Sequence, residues 1–177
     1  MYNNKMCDKA HNLIEKNNET LLFSVMCDTG VDDLIMELRK STSDNIGILY
    51  YFAIGLGRNE NSFIHNMLSS NKYEKKFTSL DEAIENFDYQ PYIKKIEMKD
   101  NDFSYIMDLL NRNPKPSFEK SIGGYDGHDI IFRNCVACEA TYKYWVYPPK
   151  EYEYLKDITN ILCKYIPEPY RERIYLK

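Results

Sequence analysis

The chain of 177 residues has one tryptophan, Trp145, and only three histidines, His11, His65 and His128, far apart in sequence. It has no apolar run near 18 residues, so no membrane-spanning helix is expected. Its first eight residues, Met1 to Asp8, lack the apolar stretch of a secretory signal, which predicts a cytoplasmic location. It has no HExxH, no GxSxG elbow and no EF-hand loop. Gly55-x-Gly57 and Gly123-Gly124 do not have the form of a phosphate cradle. The net charge of -4 argues against a broad electrostatic grip on nucleic acid. No catalytic residue set, cofactor or metal is expected on these grounds, and neither nucleic acid nor a membrane is expected as a partner.

The five cysteines are Cys7, Cys27, Cys135, Cys138 and Cys163. An odd count without a signal sequence points to reduced thiols. Cys135-Val136-Ala137-Cys138 supplies only half of a tetrahedral zinc site, and it lies between two strand-like runs rather than at a helix start. The expected role is structural, because buried thiols behave as small apolar groups.

Tyrosine is abundant instead, with 16 copies that lift the aromatic share to 14 %. Tyrosine joins apolar area to one polar handle and is enriched in the contact cores of protein interfaces. Asn, Lys and Ile are abundant too, and codon bias explains the same pattern.

Apolar spacing predicts a helix from Lys5 to Lys16 and another from Val31 to Lys40, where Val31, Leu34, Ile35 and Leu38 share a face. Thr20 to Met26 reads as strand or buried helix. Ile46 to Leu56 is apolar all round and favours a helix capped by Ser43. A short helix is expected around Phe63 to Leu68. Ser79-Leu80-Asp81-Glu82 is a capping box that starts a helix through Phe87. Tyr92 to Met98 reads as a strand, and Asp102 to Leu110 as a helix ended by Pro114. Ile130 to Arg133 and Thr141 to Tyr147 read as strands, and Glu151 to Ile166 as a helix closed by Pro167. The predicted fold class is α+β in a single domain, 1–177. It has a mostly helical N-terminal two thirds and a small antiparallel sheet, including 128–147, packed on a C-terminal helix over 150–166. Trp145, Leu155, Ile158 and Leu162 are expected to pack together.

Three sets of residues are candidates for function. Asp28-Thr29-Gly30 resembles the triplet of aspartic proteases, but there is no second triplet, and the same residues make an ordinary turn. His128 beside Asp126 and Asp129 would suit acid–base chemistry in a small hydrolase or nuclease, although a turn explains it equally. Residues 78–110 hold eight carboxylates against three lysines. Such a segment fits a basic partner, drawn in by long-range attraction. The predicted contact residues are Asp81, Glu82, Glu85, Asp88, Tyr89, Asp100 and Asp102.

From Gly123 to Tyr165 the layout is Gly124-Tyr125-Asp126-Gly127, a strand, Tyr144-Trp145, Pro148-Pro149 and a helix. It resembles the C-terminal region of small bacterial immunity proteins encoded beside polymorphic or contact-dependent toxins. The resemblance implies a monomer that binds one cognate toxin directly and blocks it without catalysis. Many toxins of that class are basic nucleases, and an acidic, Tyr-rich surface complements them.

Overall fold

The computed structural model describes residues 5–15, 18–28, 33–53, 79–112, 129–136, 140–145, 150–168 and 171. Six strands form one sheet: β1 (Glu19–Asp28), β2 (Asp33–Ser41), β3 (Gly47–Ala53), β4 (Ile93–Glu97), β5 (Asp129–Asn134) and β6 (Ala140–Trp145). Their order is β4-β3-β2-β1-β5-β6, and every neighbouring pair is antiparallel. The four α-helices among the described residues are α1 (Lys5–Ile14), α2 (Leu80–Asn86), α3 (Asp100–Arg112) and α4 (Glu153–Cys163).

This corrects the expectation of a mostly helical N-terminal two thirds and a small C-terminal sheet. The stretches expected to be helical, Val31 to Lys40 and Ile46 to Leu56, contain β2 and β3, and the sheet has six strands, not one C-terminal pair. The cause is burial on both faces. Leu34, Met36 and Leu38 enter the core on one side of the sheet, while Ile35 is buried on the other. In β3 all seven residues are buried. A strand covered on both sides loses its period of two and carries no helix-or-strand signature. Ser43 caps no helix: it lies in the turn between β2 and β3, where Ser41 N–H donates to the Ile46 carbonyl at 3.0 Å. The helix expected at Phe63 to Leu68 falls outside the described residues.

The larger core lies under α3 and α4. Phe23, Val25, Met36, Leu38, Leu49 and Phe132 of the sheet meet Phe103, Ile106 and Leu110 of α3 and Leu155, Ile158 and Leu162 of α4. The backbone of Trp145 ends β6; its ring is outside the described residues. In β1 the register slips between Leu21 and Phe23, so Leu22 and Phe23 both enter this core. The Leu22 carbonyl there accepts from Cys135 N–H at 2.9 Å. Such a bulge sharpens the local twist.

The smaller core lies under α1 and α2. Met6, Cys7 and Ala10 of α1 and Ala83 and Ile84 of α2 cover Ile35 and Phe52. Ser79 starts α2 as the capping box implies, its hydroxyl accepting from Glu82 N–H at 3.2 Å. Lys5 meets Asp81 at 2.6 Å, and Lys9 meets Glu85 at 2.5 Å. Because both partners advance by one turn, the two helices run side by side in the same direction.

Candidate functional site

The sheet face under α1 carries a polar row that the charge pattern of the sequence does not announce. Register aligns Arg133 of β5, Ser24 of β1, Glu37 of β2, Tyr50 of β3 and Lys95 of β4. Glu37 is 0 % exposed and Arg39, two residues on, is also buried. Burying a charge is costly unless it is paired and hydrogen-bonded. The pairing is local: Arg39 Nε donates to Glu37 Oε2 at 2.8 Å, and Nη1 donates to the Glu19 carbonyl at 3.3 Å. Arg39 Nη2 lies 2.7 Å from the same Glu37 oxygen, yet makes no hydrogen bond of good geometry, so that contact is ionic.

The other oxygen of Glu37 meets α1. His11 Nδ1 is 2.5 Å from Glu37 Oε1, and His11 Nε2 is 3.2 Å from Glu15 Oε1. The hydrogen bond to Glu37 raises the His11 pKa above 6.5; burial opposes it, the charges of Glu37 and Glu15 add to it, and Arg133 opposes it. From sequence, His11 reads as a partly exposed polar position on a helix. Its side chain is 17 % exposed, with Nδ1 bonded to Glu37 and Nε2 in ion-pair range of Glu15. No sequence signal links His11 to Glu37, because the contact crosses 26 positions.

The predicted partner-contact residues divide between the two sides of the sheet. Asp81 and Glu85 face the lysines of α1, so their charges are already neutralised. Glu82 is exposed on α2. Asp88 is exposed and accepts from Gln90 N–H at 3.3 Å. Tyr89 is buried: its hydroxyl donates to the Ile84 carbonyl at 2.8 Å, and its ring lies 4.9 Å from that of Phe87 and 5.5 Å from that of Phe52. Asp100 and Asp102 open α3, on the opposite side. Asp100 is exposed, whereas Asp102 accepts from the Tyr165 hydroxyl at 2.5 Å.

The outer side of α3 has the composition of a contact surface. Tyr105 is the one large hydrophobic residue that stands exposed among the described residues, at 52 %. Asp102 and Asp108 sit three positions before and after it, on the same helix face. Asp108 pairs with Arg112 at 2.5 Å. Beside this helix runs a groove of about 790 Å³ between α3 and the β2–β3 turn. Asp44, Glu97 and Asp100 line it against the single cation Lys40, with Ile46, Phe103 and Met107 as its apolar part.

The other candidates are only partly placed. His128 and Asp126 lie outside the described residues, as do Thr29 and Gly30. The backbone of Asp129 pairs with that of Asp28 in β1, which pairs with Asp33 in β2. Three aspartates therefore share one register row at one end of the sheet, with Trp145 next in line on β6. Cys135 is half-buried at the end of β5, and Cys138 lies outside the described residues. Among the described residues, no three of His, Cys, Asp or Glu stand close enough to hold a metal ion, and no helix is long and apolar enough to cross a membrane. No family model, curated protein or solved structure matches this chain.

Proposed function

We propose that the chain is an immunity protein that acts in the bacterial cytoplasm as a monomer, binding one cognate toxin and neutralising it by direct contact without catalysis. The observation that supports this reading is Tyr105, the exposed aromatic ring of α3, on a helix whose other flank borders an acidic groove. Exposed aromatics of this kind act as anchors in binding interfaces, and the surrounding charge selects a basic partner and speeds its approach. Of the predicted contact set, Asp100 lines the groove, while Asp102, on the Tyr105 side of α3, is bonded to the Tyr165 hydroxyl. Tyr89 has no part in it because it is buried, and Asp81 and Glu85 have little because Lys5 and Lys9 already neutralise them.

The test is co-expression with the products of the neighbouring genes, among which this reading expects a toxin domain. The expected result is rescue of growth and a one-to-one complex with sub-micromolar affinity. Tyr105→Ala and Asp100→Lys should weaken that complex while leaving the fold intact. Failure of every neighbouring gene product to bind removes the basis of this reading. Normal binding by both variants moves the contact surface away from α3.

A further inference from the structure

The geometry around His11 points to a regulatory device: we propose that α1 is a pH-sensitive clasp, closed over the sheet by a protonated His11 and loosened when that proton is lost. This inference does not rest on the proposed function.

Both ring nitrogens of His11 meet carboxylate oxygens, Glu37 Oε1 at 2.5 Å and Glu15 Oε1 at 3.2 Å. A neutral imidazole has one N–H, so one nitrogen would turn its lone pair toward a carboxylate. Only the imidazolium sets an N–H toward Glu37 and, at the same time, a positive ring edge in ion-pair range of Glu15. The arrangement therefore selects the charged ring. Glu37 cannot turn to water instead, because it is 0 % exposed and its second oxygen is held by Arg39.

The charged and titratable groups on the surrounding elements set the balance. From β2, Glu37 favours the proton, while Arg39 neutralises part of that carboxylate. From α1 itself, Glu15 favours it. From β5, Arg133 opposes it. From β1, β3 and β4, Glu19, Tyr50 and Lys95 form their own group, with Lys95 Nζ 2.8 Å from Glu19 and 5.5 Å from the Tyr50 ring centre. From α2, Asp81 and Glu85 are matched by Lys5 and Lys9.

The direction follows from linkage. A histidine whose pKa is higher in the closed state contributes stability that is fully present below its open-state value, about 6.5. That contribution is lost as pH rises through the closed-state pKa. Opening α1 also separates Lys5 and Lys9 from Asp81 and Glu85, so the acidic side of α2 gains net charge as the clasp loosens.

Hydrogen exchange on the whole protein, corrected for the pH dependence of the chemical step, reads the clasp directly. The amides of α1 should lose protection relative to those of α4 as pH rises above about 6.5. The opening constant should grow about tenfold for each unit by which the closed pKa exceeds the open one. His11→Gln should make the ratio of α1 to α4 protection independent of pH. An NMR titration of the wild-type imidazoles supplies a second reading that needs no variant. Glu15→Gln, on the exposed side, should lower the His11 pKa without loss of fold. A His11 pKa at or below 6.5, or α1 protection that tracks α4 at every pH, overturns the proposal.

Discussion

Tyr165 donates a 2.5 Å hydrogen bond to Asp102 and accepts one of 3.1 Å from Lys99 N–H, so one hydroxyl ties the start of α3 to the chain just beyond α4. The two helices cover the same face of the sheet, and this contact holds their ends together. Tyr165→Phe keeps the ring and removes both bonds. Because the site is only half-buried, the expected loss is about 1–2 kcal/mol, measured by urea unfolding. The tyrosine also responds to alkali. Burial first, then the Asp102 carboxylate, raises its pKa above 10. A phenol with a raised folded pKa gives stability that is present below pH 10 and declines as pH rises from there through the folded value. The variant should lack this decline.

Gly47 is held without a side chain by Phe103. A Cβ at Gly47 would lie 2.3 Å from Phe103 Cδ2 and 2.5 Å from Cγ, near the root of a buried ring that cannot swing away. The Gly47 carbonyl also accepts from Met98 N–H at 2.9 Å, which fixes the strand there. Gly47→Ala should force α3 outward and cost about 1–3 kcal/mol, as overpacking does. A smaller side chain at position 103 should return part of that loss in the double variant. Additive losses in a double-mutant cycle would show that the two residues do not touch.

The sequence announces some of these elements and conceals others for physical reasons. The N-cap at Ser79, and the periods of α1, α3 and α4, follow from one polar and one apolar side, which a helix on the surface of a sheet must have. β2 conceals itself because Glu37 and Arg39 look like the wet side of a helix, while in the fold they neutralise each other beneath α1. β3 conceals itself because it has no wet side. Its content of Ile, Tyr and Phe is the signal that favours a strand where periodicity is silent. The acidic segment is evident in composition, but its division by the sheet edge is not. Composition cannot distinguish Asp81, which faces Lys5, from the exposed Asp100, nor show that Tyr89 turns inward.

The thiols should separate by burial. Cys163 has its pKa pushed up to about 12, chiefly by burial, with Arg171 opposing. The thiolate is the reactive species, so Cys163 should be inert to alkylation at pH 8 in the native protein. Cys7 and Cys27 are buried as well, whereas Cys135 is only half-buried. Timed alkylation followed by peptide mapping should label Cys135 well before these three. Labelling of Cys163 at the rate of Cys135 would mean that α4 opens readily.

The group of His11, Glu37 and Arg39 is expected to serve specificity more than stability. Removing one member leaves a buried charge without its partner, and such losses are typically about 3–5 kcal/mol. Arg39→Met should fall in that range, because Glu37 would then keep only His11. Replacing all three members by apolar residues of similar size removes every buried charge together, and such replacements are often neutral or stabilising. The triple variant should therefore be more stable than Arg39→Met alone, although it contains that substitution. Chemical denaturation of the two variants decides the matter. If the triple variant is the less stable, the three groups contribute net attraction beyond their desolvation. If the order is as expected, the three charges cost more in desolvation than their mutual attraction returns.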